Sequence, residues 1–125
     1  MKKEILIIDD EVSFTEMVKL NLELSGKYSV KAEYSGQHGL DAAKEFKPDL
    51  ILLDILMPGQ NGIEVLQALK NDNETKSIPV IMISALKSTM ARNEVVDMYS
   101  AGTIEKPFTF QALESKVEEA LKGRY

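Results

Sequence analysis

Residue types that bind cations and phosphoryl groups stand at the ends of apolar runs in this chain. Asp9 and Asp10 follow Ile5-Leu6-Ile7-Ile8, and Asp54 follows Leu50-Ile51-Leu52-Leu53. Ser84 follows Val80-Ile81-Met82-Ile83, and Lys106 ends a shorter, weaker run over residues 101–105. Brought together, three carboxylates repel one another, and the usual relief is proton uptake, a cation or a metal. Oxygen ligands with neither His nor Cys nearby suit Mg²⁺ or Mn²⁺ rather than zinc. An aspartate is already ionised at neutral pH and needs no general base. The set therefore fits phosphoryl transfer to a carboxylate: Asp54 attacks phosphorus, and Asp10, Asp54 and a backbone carbonyl hold a metal that bridges to one phosphoryl oxygen. Lys106 and Ser84 take the other two oxygens.

That chemistry requires elements that bring the five residues to one place. Four consecutive apolar residues are too few for a globular helix but suit a strand covered on both faces. Between the strands lie helical patterns. Ser13-Phe14-Thr15-Glu16 has capping-box spacing and opens a helix whose stripe runs Phe14, Met17, Leu20 or Asn21, and Leu24, widened by Val18 and Leu22 and stopped at Gly26. Tyr28, Val30, Ala32 and Tyr34 alternate with polar residues as in a half-exposed edge strand, and Leu40, Ala43 and Phe46 mark the face of a second helix. Asn61-Gly62-Ile63-Glu64 starts a third helix with Ile63, Leu66 and Leu69. Ser88 caps a fourth through Met90, Ala91, Val95 and Met98, and Thr109 caps a last one with Phe110, Leu113, Val117, Ala120 and Leu121. Five strands alternating with five helices predict an α/β fold, a doubly wound parallel sheet in the order 2-1-3-4-5, whose strands present their carboxyl ends along one edge. Asp9, Asp10, Asp54, Ser84 and Lys106 all fall on that edge.

Size and charge narrow the classes further. At 125 residues there is room for one domain, 1–125, with no linker or internal repeat. The chain has no cysteine, which excludes a disulfide framework and a thiolate metal site. A net charge of -5 argues against direct nucleic-acid binding, and no run is long and apolar enough for a membrane span, so a cytoplasmic protein is expected. Singly, each candidate has an ordinary explanation: strand-end acids as solvated loop residues, Ser84 as a satisfied hydroxyl, Lys106 as a surface lysine. Convergence is what weighs against all of these together. His38 lies away from the acidic edge and reads as a solvated helix residue.

These residues resemble the response-regulator receiver domains of the CheY-like family, over essentially the whole chain. The motifs are the acidic pair Asp9-Asp10, the stretch Asp54-Ile55-Leu56-Met57-Pro58-Gly59-Gln60-Asn61-Gly62, Ser84-Ala85 and Lys106-Pro107-Phe108. Each is weak alone, and the four at family spacing are specific. The resemblance implies a phosphoacceptor at Asp54 that catalyses its own phosphorylation and dephosphorylation rather than acting on an external substrate. It implies a phosphohistidine donor on a sensor histidine kinase or phosphotransfer protein. Asp10 would bind Mg²⁺ directly, Asp9 through water, and the Leu56 backbone carbonyl would complete the protein ligands. Ser84 and Lys106 would contact the phosphoryl group. Output to a downstream protein, or homodimerisation, would use the surface of the fourth helix, fifth strand and fifth helix, residues 88–121.

Two features bear on the switch: one departure from that pattern, and one pair of positions that in relatives influence water access. The aromatic found in many relatives three residues before the lysine is Thr103 here, so activation is expected to shift the helix-four surface rather than a buried ring. The positions two after Asp54 and two after Ser84 are Leu56 and Leu86, both apolar, which predicts a long-lived aspartyl phosphate. The alternative is a phosphate-independent pseudo-receiver that works as a protein-binding module. A third class, another flavodoxin-like enzyme, is disfavoured: the loop after the first strand has no Ser/Thr/Gly phosphate cradle, and no second acid follows Asp54 by two residues.

Overall fold

The computed structural model describes residues 2–57, 59–85 and 94–123. In chain order they form β1 (Lys3–Ile8), α1 (Val12–Leu24), β2 (Tyr28–Glu33), α2 (Gly36–Phe46), β3 (Leu50–Asp54), β4 (Leu56–Met57), β5 (Gln60–Asn61), α3 (Gly62–Asn71), β6 (Val80–Ser84), α4 (Glu94–Tyr99), β7 (Gly102–Glu105) and α5 (Phe110–Leu121). The main sheet is parallel throughout, in the order β2-β1-β3-β6-β7. Counted among its own strands that is 2-1-3-4-5, the doubly wound order that the alternation predicts. The β4–β5 ladder is a separate antiparallel pair.

Continuous apolar strands arise because both faces of this sheet are covered. Alternate residues of the central strands serve opposite cores. Leu6, Ile8, Ile51, Leu53, Val80 and Met82 pack with α2, α3 and Val96 of α4. Ile5, Ile7, Leu50, Leu52, Ile81 and Ile83 pack with Val18 and Leu22 of α1 and Leu113, Val117 and Ala120 of α5. At the edge, Tyr28 and Val30 of β2 turn inward while Ser29 and Lys31 face solvent. Among the described residues no helix is long and apolar enough to cross a membrane.

Several helix details differ from the sequence expectation. The first helix starts at Val12 with Glu11 at its N-cap and no side-chain cap, so Ser13 sits inside the first turn rather than capping it. Thr15, Val18 and Leu22 are its buried face, while Met17, Leu20 and Leu24 lie outward. In α2 the buried positions are Gly36, Gly39, Ala42 and Ala43, because the helix lies close against β1. A Cβ on Gly39 would meet the Ile8 side chain. Phe46, expected to be inward, is exposed and lies under the Lys31 ammonium at 4.4 Å. Met98 is also exposed, and Val96 carries the inward face of the described turns of α4. The Ser88 cap, Met90 and Ala91 fall outside the described residues. Asn61 and Thr109 do cap their helices. Asn61 accepts from the Ile63 N–H at 2.8 Å and Glu64 returns a bond to its backbone, while Thr109 accepts from the Ala112 N–H.

Gly62 joins the fold to the acidic edge. It donates its N–H to the Ile55 carbonyl at 2.7 Å, and a Cβ at this position would overlap the backbone carbonyl of Asp54. Only glycine lets α3 start against the end of β3. Gly62→Ala is therefore expected to destabilise the domain by about 1–3 kcal/mol, the usual cost of forcing atoms into a packed region. The urea unfolding midpoint measures this, and a midpoint equal to the parent's would contradict the close approach.

Candidate functional site

Register places the candidate residues. Ile8 of β1 lies beside Leu53 of β3, so Asp9 leaves the sheet one position beyond that pair, next to Asp54. Asp54 in turn pairs with Ile83 of β6, and Ser84 pairs with Glu105 of β7. The Lys106 N–H donates to the Ser84 carbonyl at 2.7 Å, which extends the β6–β7 ladder by one residue and turns the lysine toward the same edge. Asp9, Asp54 and Ser84 are all buried, at 0%, 4% and 3% exposure, and Asp10 is half-buried.

One carboxylate oxygen from each of Asp9, Asp10 and Asp54 lies within 4.8 Å of the others. Lys106 enters this group from β7. Its Nζ donates to Asp9 Oδ2 at 2.9 Å and to Glu11 Oε1 at 2.8 Å, and stands 3.9 Å from Asp54 Oδ2. The Phe14 ring lies beneath the ammonium, 4.0 Å from centroid to Nζ, and the Phe108 ring meets Phe14 edge-on at 5.7 Å. The other Asp9 oxygen accepts the Glu11 backbone N–H at 2.9 Å. Asp54 Oδ1 accepts the Leu56 N–H at 3.4 Å, a long bond.

The electrostatics follow from this packing. Burial and the neighbouring Asp9 carboxylate push the Asp54 pKa up to about 7, against the pull of Lys106 and the Leu56 N–H. Burial works against the Lys106 charge, yet the hydrogen bonds to Glu11 and Asp9 and the nearby Asp54 hold its pKa above the ordinary lysine value. The donor set at the edge is all oxygen and crowded with like charge. A hard divalent cation suits it: it would coordinate the three carboxylates and relieve their repulsion.

Asp9, Asp10, Asp54 and Lys106 are thus gathered at one site, with Ser84 at the adjoining strand end. The Leu56 backbone borders Asp54 through its N–H, while the Leu56 side chain is exposed. Leu86 and Pro58 lie outside the described residues. Thr103 sits in β7 opposite Met82, partly exposed. His38 is exposed on α2. The sequence reading missed Glu11 and Phe14 as parts of the lysine's surroundings. The available signal was a third acid directly after Asp9-Asp10 and an aromatic one helical turn beyond it.

Comparison with known proteins gives this geometry its context. Residues 5–118 match the family model described as the response regulator receiver domain. The chain is 38% identical over 122 residues to the transcriptional regulatory protein YkoG of Bacillus subtilis, covering 97% of this chain and 52% of that protein. It is 35% identical over 118 residues to the DNA-binding dual master transcriptional regulator RpaA of Synechocystis, covering 94% of this chain and 48% of that one. The chain spans about half the length of these relatives. Among solved structures, a CheY-like response regulator receiver domain protein of Methanospirillum hungatei superposes with a TM-score of 0.89 at 26% identity, covering 98% of this chain and 96% of that one. The receiver domain of the Francisella response regulator 1452 superposes at 0.87 with 28% identity, covering 98% of each chain. With a family match running through both the acidic pair and the lysine, on a sheet of the same order and form, the chain belongs to the response regulator receiver domain family.

Proposed function

We propose that residues 1–125 act as a single cytoplasmic, Mg²⁺-dependent receiver whose Asp54 accepts a phosphoryl group from a phosphohistidine of a sensor histidine kinase or phosphotransfer protein. The observation that carries this reading is the placement of Asp54: it is a buried carboxylate at the end of the central strand, within reach of two further acids and 3.9 Å from Lys106. In the reaction an Asp54 oxygen forms a bond to phosphorus and the phosphorus–nitrogen bond of the donor breaks. The imidazole nitrogen keeps that electron pair and takes a proton from solvent. Asp9, Asp10, Asp54 and the Leu56 carbonyl would hold Mg²⁺ or Mn²⁺, which would supply positive charge to the transferring phosphoryl group. Lys106 pairs with a phosphoryl oxygen and Ser84 donates its hydroxyl to another. Burial keeps water from competing for these groups.

The product is a switch rather than a released compound, so its consequence lies in a partner. With a net charge of -5 and relatives about twice as long, the reading gives this domain a protein contact as output, through the surface that includes α4, β7 and α5 or through a homodimer on that surface. Direct nucleic-acid and membrane contacts are not part of it.

Intact-mass measurement with a small-molecule phosphodonor tests the acceptor. The parent is expected to gain one phosphoryl group only with Mg²⁺, and Asp54→Asn to gain none. A folded, Mg²⁺-binding parent that gains nothing would instead favour a phosphate-independent binding module.

Stability provides a second check, on metal-free protein. Between about 4 and about 7 folded Asp54 holds a proton that the unfolded chain has given up, so stability is lost as pH rises through that window and stays low above it. Asp54→Asn carries no such charge. Its stability advantage over the parent is expected to grow from pH 5 to pH 8 and to shrink when Mg²⁺ is added at pH 8, because the ion stabilises the parent by binding its folded form. Denaturant midpoints measure both changes, and an advantage that is constant with pH would contradict the raised pKa.

The exposed, apolar Leu56 beside Asp54 offers no hydrogen bond to an attacking water, which supports a long-lived aspartyl phosphate. Leu56→Asn is expected to shorten its lifetime about fivefold, the rate equivalent of one net hydrogen bond of about 1 kcal/mol. Decay of the phosphorylated mass after donor removal reads this out, and an unchanged half-life would remove Leu56 from control of the lifetime.

A further inference from the structure

Lys106 is held by more than the acidic cluster. The ammonium has three N–H groups. One goes to Asp9 and one to Glu11, at 2.9 and 2.8 Å, and the Phe14 ring covers a further side at 4.0 Å. Asp54, at 3.9 Å, is beyond hydrogen-bond length. The lysine is therefore parked on the β1–α1 side of the site, one short step from the position where it would serve Asp54.

The two carboxylates that hold it there differ in kind. Asp9 is wholly buried and belongs to the acidic cluster. Glu11 is not in that cluster, and its side chain is 62% exposed. Its backbone is fixed, because its N–H donates to Asp9 Oδ1 and it forms the N-cap of α1. That fixed backbone holds the Glu11 carboxylate beside the lysine while leaving it in water. An ion pair so exposed is weak enough to exchange.

We infer that Glu11 is a positioning residue that draws the Lys106 ammonium away from Asp54 and so lowers the affinity of the site for a phosphoryl group. The inference rests on the phosphoacceptor reading and adds a regulatory residue to it. A phosphoryl group on Asp54 must draw the ammonium toward itself against the pull of Glu11. With an exposed pair as the competitor, the effect is a tuning of affinity rather than a block.

The test is the affinity of the Mg²⁺-loaded protein for beryllium fluoride, a tetrahedral stand-in for the phosphoryl group, by calorimetric titration. The four proteins are the parent, Glu11→Gln, Lys106→Met and the double variant. Glu11→Gln keeps the shape of the side chain and removes its charge. It is expected to bind beryllium fluoride about two- to fivefold more tightly than the parent, the span of a weak exposed ion pair. The same change in the Lys106→Met background is expected to do nothing, since Glu11 acts through the lysine. Simple removal of a negative charge would help the anion equally in both backgrounds, and that result would overturn the inference. The Lys106 Cε and Nζ chemical shifts give a second readout: they are expected to move in free Glu11→Gln and in Glu11→Ala. Unchanged shifts together with unchanged affinity would also overturn it. A parent that binds Mg²⁺ but neither beryllium fluoride nor a phosphoryl group would overturn the phosphoacceptor reading, and this inference with it. A competent parent with an indifferent Glu11→Gln would overturn the inference alone.

Discussion

The ion pair between Lys106 and buried Asp9 is the interaction on which the acidic edge depends. A carboxylate taken fully out of water is costly unless it is paired and its remaining lone pairs are satisfied. Asp9 meets both conditions, with Lys106 on one oxygen and the Glu11 N–H on the other. The lysine comes from the far end of the sheet, 97 residues away in sequence, so the pair ties the first strand to the last. It also brings the cation close to Asp54 without closing on it. Asp54 is thus left crowded by like charge, with its pKa raised, in a site of three acids that could hold a divalent cation.

The strands and the site were legible in the sequence for one physical reason. A strand buried on both faces must be apolar at consecutive positions, so where a run such as Leu50-Ile51-Leu52-Leu53 stops at Asp54, the sheet edge is marked directly. Right-handed crossovers then leave few ways to order five such strands, and all of them put the run ends on one side. Helix faces were less legible. The first helix carries apolar residues on two stripes, and periodicity alone does not say which one meets the sheet. The chain leaves β1 with the Asp9 carboxylate taking the Glu11 N–H and Lys106 taking the Glu11 side chain, and the N-cap falls at Glu11, two residues ahead of Ser13. Thr15, Val18 and Leu22 of α1 face inward. The Lys106–Glu11 contact beside the earlier cap is long-range and invisible to local pattern; of the expected stripe, Val18 and Leu22 are buried and Met17, Leu20 and Leu24 are exposed.

A similar limit applies to α2. Its apolar side chains suggest a face of Leu40, Ala43 and Phe46; Leu40 and Ala43 do meet the core, while close approach to β1 adds Gly39 and Ala42 and leaves Phe46 outside. Glycines read as helix-weakening in isolation are here the residues that permit contact. Gly62 makes the same point at the site, where the absence of a side chain lets the capped start of α3 sit against the Asp54 carbonyl. The geometry of the acidic edge therefore depends on packing from both directions: on the Lys106 side through charge, and on the α3 side through space.

Hydrogen bonding separates the acids further and bears on which of them would act as nucleophile. Asp9 and Asp54 are both buried at adjacent strand ends, yet their oxygens are engaged very differently. Both oxygens of Asp9 accept short bonds, at 2.9 Å each, one holding Lys106 and the other the start of α1. Among the described residues Asp54 accepts one long bond, from Leu56, and meets Lys106 at ion-pair distance. An attacking oxygen must bring an uncommitted lone pair to phosphorus, and every strong hydrogen bond it accepts lowers its reactivity. The same lysine that satisfies Asp9 thereby leaves Asp54 the less engaged of the two. This division of labour supports Asp54 as the acceptor and Asp9 as the support, and it requires the lysine to stand where the structure has it, on the Asp9 side.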